Sequence, residues 1–156
     1  VSDEADTAKV LVRPPIAWLV AVLAGFALDW LRPLPFVPAA LPAHWPGAIV
    51  FALALALFAW AVATMIRAGS NVPTSKPTTT IVESGPYRLT RNPIYLAMVL
   101  ALLGLAIAFN SLWLLLALAI FAPVIRYGVI AREEAYLERK FGEVYRVYRG
   151  RVRRWL

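Results

Sequence analysis

The chain has 156 residues, 61% of them hydrophobic, with a formal net charge of +7, no cysteine and one histidine. Soluble domains carry roughly 45–50% apolar residues, and a chain this short has no interior large enough to hide the excess, so the composition calls for a bilayer. Without cysteine there are no disulfides, thiolate catalysis or cysteine metal sites, and with a lone histidine no metal centre is expected.

Residues 1–9 are polar and acidic, unlike the basic opening of a signal peptide. A helix needs about 20 apolar residues to cross a bilayer. Four segments meet or approach that length: about 15–31, 46–66, 93–109 and 111–130. The third is short, at about 17 residues, and still within the tolerated range. Asp29, near the end of the first, is expected to pair with Arg32 or to reach the headgroups. The connection 32–46 holds five prolines and reads as a cap without regular structure, with His44 and Trp45 as interfacial residues. The loop 68–92 is polar and rich in Thr, Pro and Gly, and a loop of that length in a small protein usually has a function. Asn110-Ser111 is a tight turn that makes the last two spans an antiparallel hairpin. Past Ile130 the pattern turns amphipathic: Tyr136, Leu137, Phe141, Val144, Tyr145 and Tyr148 recur at helical spacing against charged residues.

The expected fold is all-α: an integral membrane helical bundle of about four transmembrane helices plus a cytosolic C-terminal helix. It forms a single domain over 1–156, with the first two spans in 1–67 and the inner loop, hairpin and C-terminal helix in 68–156. With both termini in the cytoplasm, only Arg32 among the 16 Lys and Arg lies outside, so 15 lie inside. That asymmetry sets the orientation, in what is expected to be a bacterial inner membrane. It also assigns the basic charge to the bilayer surface, and no nucleic-acid partner is expected.

Candidate chemistry gathers on the inner face. Gly85-Pro86 is a tight turn where a backbone without Cβ allows close approach of a ligand. Arg88 and Arg91 suit an anionic group. Asn92 suits hydrogen bonding or capping of the helix that Pro93 opens. Glu133 and Glu134 project about 100° apart on a helix, so one can face a site while the other meets water or an arginine. Arg126 sits inside the fourth span near the inner interface, where a buried arginine should meet an anion or a carboxylate.

The order Gly85-Pro86-Tyr87-Arg88, Arg91-Asn92-Pro93-Ile94-Tyr95, a helical hairpin, Glu133-Glu134, Phe141-Gly142-Glu143-Val144-Tyr145 and a basic tail resembles the isoprenylcysteine carboxyl methyltransferase and phospholipid methyltransferase superfamily. The resemblance covers about residues 68–156 and is closest to its bacterial integral membrane members. The carboxyl methyltransferase branch has His where this chain has Asn92, so a prenylcysteine acceptor does not follow. The resemblance implies S-adenosylmethionine as methyl donor, S-adenosylhomocysteine as product, and a lid made by the C-terminal segment. Cofactor contacts are then expected from Gly85, Tyr87, Arg88, Arg91, Asn92, Pro93 and Tyr95. Glu133, Glu134 and Tyr145 complete that set, and Arg126 and Glu134 are expected as the catalytic pair.

The expected activity is methyl transfer to a lipophilic or amphipathic acceptor arriving from the bilayer; the sequence leaves the oligomeric state open. Two rivals are an NAD(P)H-dependent membrane reductase of related fold, with phosphates on Arg88, Arg91 and Arg151, and a non-enzymatic scaffold that contacts anionic lipid.

Overall fold

The computed structural model describes residues 7–38, 41–73 and 76–156. Proline opens α1 (Pro14–Leu31) at its first positions, where no N–H is missed. The helix stops at an extended Arg32, as the residue before Pro33 requires. α2 (His44–Arg67) begins earlier than hydropathy suggests, so His44 and Trp45 form its first turn instead of belonging to the loop. It ends before Gly69, whose φ of +70° is the usual left-handed helix stop. A 3₁₀ turn (Gly85–Arg88) breaks the long inner loop, and Pro93 then opens α3 (Pro93–Ala108).

Asn110, at φ +49°, reverses the chain into α4 (Leu112–Ile125). The Ser111 hydroxyl caps α4 by accepting from Leu114 N, and it donates to Asp29 Oδ1 at 2.8 Å. Asp29 is therefore held by this serine and not by Arg32. Below Pro123 the helix passes through a π turn (Arg126–Ile130) and continues as α5 (Ala131–Phe141). Gly142, at φ +53°, separates α5 from α6 (Glu143–Arg151), so the expected single cytosolic helix is two.

Among the described residues the regular structure is entirely helical. Three helices are long and apolar enough to cross a membrane: α1, α2 and the 30-residue run Leu112–Phe141. α3, with 16 residues, is a shorter apolar helix; at 1.5 Å per residue it reaches about 24 Å, less than a hydrocarbon core of about 30 Å. Large apolar side chains such as Leu53 and Ile120 are exposed, which suits lipid and not water.

Small residues bring the helices together, as they do where hydrocarbon surrounds a bundle. A Cβ on Gly104 would lie 2.6 Å from Phe51 N, and one on Gly47 2.1 Å from Ala108 N, so α2 and α3 touch backbone to backbone. Gly25 makes room on α1 for the Leu114 side chain of α4, whose Cδ2 would lie 2.5 Å from a Cβ there. The main core runs between α1, α3 and α4 around Leu102, Leu114, Phe121 and Ile125, and it reaches the tail through Trp155. Trp18 Nε1 donates to Met98 O, tying α1 to α3.

Candidate functional site

The polar end of the bundle is assembled from three stretches far apart in sequence. The first is the turn at residues 85–92. Gly85 has φ +56°, and a Cβ there would lie 2.8 Å from Thr64 Oγ1, so the turn seats directly on α2. That contact buries Pro86 and Tyr87. The second stretch is α5, which carries Glu133 and Glu134. The third is α6 with the tail behind it.

Backbone pairing joins the tail to the turn. Arg91 N donates to Arg153 O at 2.9 Å, and Thr90 Oγ1 and Asn92 Nδ2 both donate to Arg154 O. Asn92 therefore makes no side-chain cap on α3; it holds the tail instead. Tyr148 donates its hydroxyl to Tyr87 O at 2.8 Å.

Glu134 is the hub. It accepts from Arg91 Nη2 at 3.0 Å and in bidentate fashion from Arg154, with Nε at 3.0 Å and Nη2 at 2.6 Å. The fork of a guanidinium matches a carboxylate in this way, and charge-assisted bonds of this kind are strong. Arg154 is in turn held even more firmly protonated than usual by its bond to Glu134. Glu133 lies one residue away and points elsewhere: Tyr95 donates its hydroxyl to Glu133 Oε1 at 2.7 Å.

These groups surround a cavity of about 120 Å³. Its walls include Tyr87, Arg91, Asn92, Pro93 and Tyr95 from the turn and α3, and Glu133, Glu134 and Tyr136 from α5. Tyr145 and Tyr148 of α6, and parts of the inner loop such as Asn71, Thr78 and Val82, complete it. Two buried donors on residues that line this space, Tyr87 Oη and Arg91 Nε, have no hydrogen-bond partner among the described residues. Buried polar groups are nearly always satisfied, so spare donors in a cavity wall suit an absent acceptor. Burial pushes the Tyr145 phenol up to about 12 and raises those of Tyr87 and Tyr148 as well. All three keep their protons near neutrality and can serve as donors, not as bases.

Of the residues singled out in the sequence, Tyr87, Arg91, Asn92, Pro93, Tyr95, Glu133, Glu134 and Tyr145 meet at this cavity. Gly85, Arg88 and Arg126 are not among its walls. Gly85 shapes the turn from behind, Arg88 is exposed, and the Arg126 guanidinium lies over the Tyr127 ring at 5.4 Å. Sequence reasoning missed Arg154 as the bidentate partner of Glu134, since nothing in the run Arg151-Val152-Arg153-Arg154 marks one arginine out. It also missed the inner-loop wall, which has no helical period to read.

A family model described as phospholipid methyltransferase matches residues 42–144. An uncharacterized protein of Haemophilus influenzae is 46% identical over 63 residues, which is 40% of this chain and 100% of that protein. No solved structure matches the chain.

Proposed function

The chain belongs to the phospholipid methyltransferase family, a family of membrane methyltransferases, and from that premise we propose that it transfers a methyl group from S-adenosylmethionine to a lipophilic or amphipathic acceptor that arrives from the bilayer. One observation carries the reading. Arg91, Tyr95 and Tyr87 from one stretch meet Glu133 and Glu134 from another around one cavity, with two donor atoms left over.

The residues present suit the chemistry of that donor. When bound, S-adenosylmethionine supplies a methyl group on a sulfonium that a nucleophile can displace. Glu133, which forms no ion pair among the described residues, offers its carboxylate to a hydroxyl or a cationic group. Arg91 Nε and Tyr87 Oη offer donors to a carboxylate or a ring nitrogen. Tyr145 adds an aromatic face on which an adenine can stack or toward which a cation can turn. Glu134 is already saturated by two arginines, so its part is to hold the walls in place. Such a site works by positioning and by excluding water, with no dedicated base required of the protein.

A cavity of about 120 Å³ is smaller than the roughly 300 Å³ at the low end of ligand sites. Binding of the whole donor therefore requires part of the wall, the inner loop or the tail segment, to move outward. On this reading the cavity faces the cytoplasm and the chain sits in a bacterial inner membrane; the basic asymmetry of the sequence supports the cytoplasmic side.

Isothermal titration of the detergent-solubilised protein with S-adenosylhomocysteine tests the reading. Saturable heat that weakens in Glu133→Gln is expected. No heat at millimolar ligand, or thermal stabilisation by NADPH and not by S-adenosylhomocysteine, would overturn it. Isotope-labelled methyl donor followed by lipid mass spectrometry would then identify the acceptor.

A further inference from the structure

A second cavity, of about 590 Å³, lies between α1 and α4, away from the glutamates. It is built partly from α1, which falls outside the residues the family model matches. Its walls are apolar, from Ile16, Ala21 and Ala24 on one side to Ile120 and Phe121 on the other. Among the described residues Arg13 is the one charged residue lining it.

The helices close this groove at both ends. At one end Gly25 lets α1 press against Leu114. At the other, Leu11 N donates to Gly128 O at 2.9 Å, drawing the segment before α1 across the π turn. Between those contacts the groove is open sideways, with Ile16 56% and Ile120 67% exposed. From Arg13 to Ala24 it follows about 17 Å of helix, close to half of a hydrocarbon core of about 30 Å. A helix from a second copy would run the whole core, whereas one acyl chain occupies one leaflet.

The charge lies where such a chain's headgroup would be. Arg13 is exposed, immediately precedes α1 and forms no ion pair among the described residues. Arg132 Nη1 donates to Lys9 O at 3.3 Å, which brings two more cations to the same corner. We infer that the α1–α4 groove is a binding site for one anionic phospholipid, its acyl chain against Ala21 and Ile120 and its headgroup on Arg13. The segment carrying Ala8, which lines the first cavity, and Val12, which lines the second, separates this lipid from the candidate active site.

Native mass spectrometry of the protein extracted from bacterial membranes in mild detergent tests this without reference to methyl transfer. The unaltered chain should retain one phospholipid, enriched in anionic headgroups over the membrane average. Ala21→Trp fills the groove and should lose it, while Leu53→Trp, on the lipid-facing side of α2, should keep it. Arg13→Gln should keep a lipid but lower the anionic preference about fivefold, the contribution of one basic side chain near an anionic surface. Retention by Ala21→Trp equal to the unaltered chain, or an anionic preference untouched in Arg13→Gln, overturns the proposal. So does near-complete disulfide dimer formation by Ile120→Cys in native membranes, which would assign the groove to a second copy.

Discussion

The two polar ends of the bundle use the same kinds of groups to opposite effect. At the end away from the cavity Asn110 commits both polar atoms of its amide to the neighbouring loop: Oδ1 accepts from Phe36 N and Val37 N, and Nδ2 donates to Val37 O. Ser111 and Asp29 satisfy each other beside it. At the cavity end a denser network of arginines, glutamates and tyrosines still leaves Tyr87 Oη and Arg91 Nε without a partner among the described residues. A saturated cluster holds a fold together, and a cluster with spare donors beside a cavity has room for something else. The contrast separates structure from function more sharply than residue type does.

The contrast can be broken most forcefully at its hub. Glu134→Leu leaves Arg91 and Arg154 facing each other without their anion. Removing one partner of a buried pair costs about 3 kcal/mol or more, so a marked fall in thermal stability in detergent is expected, together with protease sensitivity beyond Gly142. At the opposite end Asn110→Ala removes three hydrogen bonds and should cost about 1–2 kcal/mol. It should leave S-adenosylhomocysteine affinity unchanged, because among the described residues the Asn110 side chain bonds only to Phe36 and Val37; a parallel loss of affinity would mean that the two ends are coupled.

Tyr87→Phe sharpens the difference, since its two readouts should move apart. Deleting an unpaired buried hydroxyl should leave stability unchanged or raise it by up to about 1 kcal/mol, while ligand affinity falls about tenfold if that hydroxyl meets the ligand. Calorimetry and thermal shift on one sample give both numbers. The smallest effect is the response to alkaline pH. Burial raises the Tyr145 phenol from the usual 10.0 to about 12, so its contribution is fully present below pH 10 and is lost as pH climbs toward 12. Tyr87 and Tyr148 act in the same direction. These tyrosines should therefore contribute no pH dependence between 7 and 9 in a melting series, and a decline above 10 that Tyr145→Phe reduces.

Much of this was legible in the chain because apolar length and helical period are local signals. They gave the helices and brought Tyr95 and Glu133 onto one face of the bilayer. What local pattern does not carry is the partner of a given charge. Arg126 read as the arginine that should meet an anion, yet it stacks on its neighbour Tyr127. Arg154, in a non-helical tail, holds Glu134 with two hydrogen bonds. Asn92 looked like a ligand contact or a cap; it lines the cavity, makes no side-chain cap and secures the tail. Each depends on where a coil segment comes to rest, which is settled by the tertiary hydrogen bonds themselves.

The π turn below Pro123 governs the rotational phase of everything after it. Ala131 N bonds to Arg126 O, five residues back, so one residue more than an α-helix needs is taken up there. Each residue of an α-helix turns the axis by about 100°. Winding residues 126–130 into regular helix at constant length would swing Glu133 and Glu134 about a quarter-turn away from Tyr95 and Arg91. Deleting one residue in that stretch should instead absorb the surplus and leave both carboxylates aimed as they are. This is a place where a membrane helix can shorten by one residue and keep its aim.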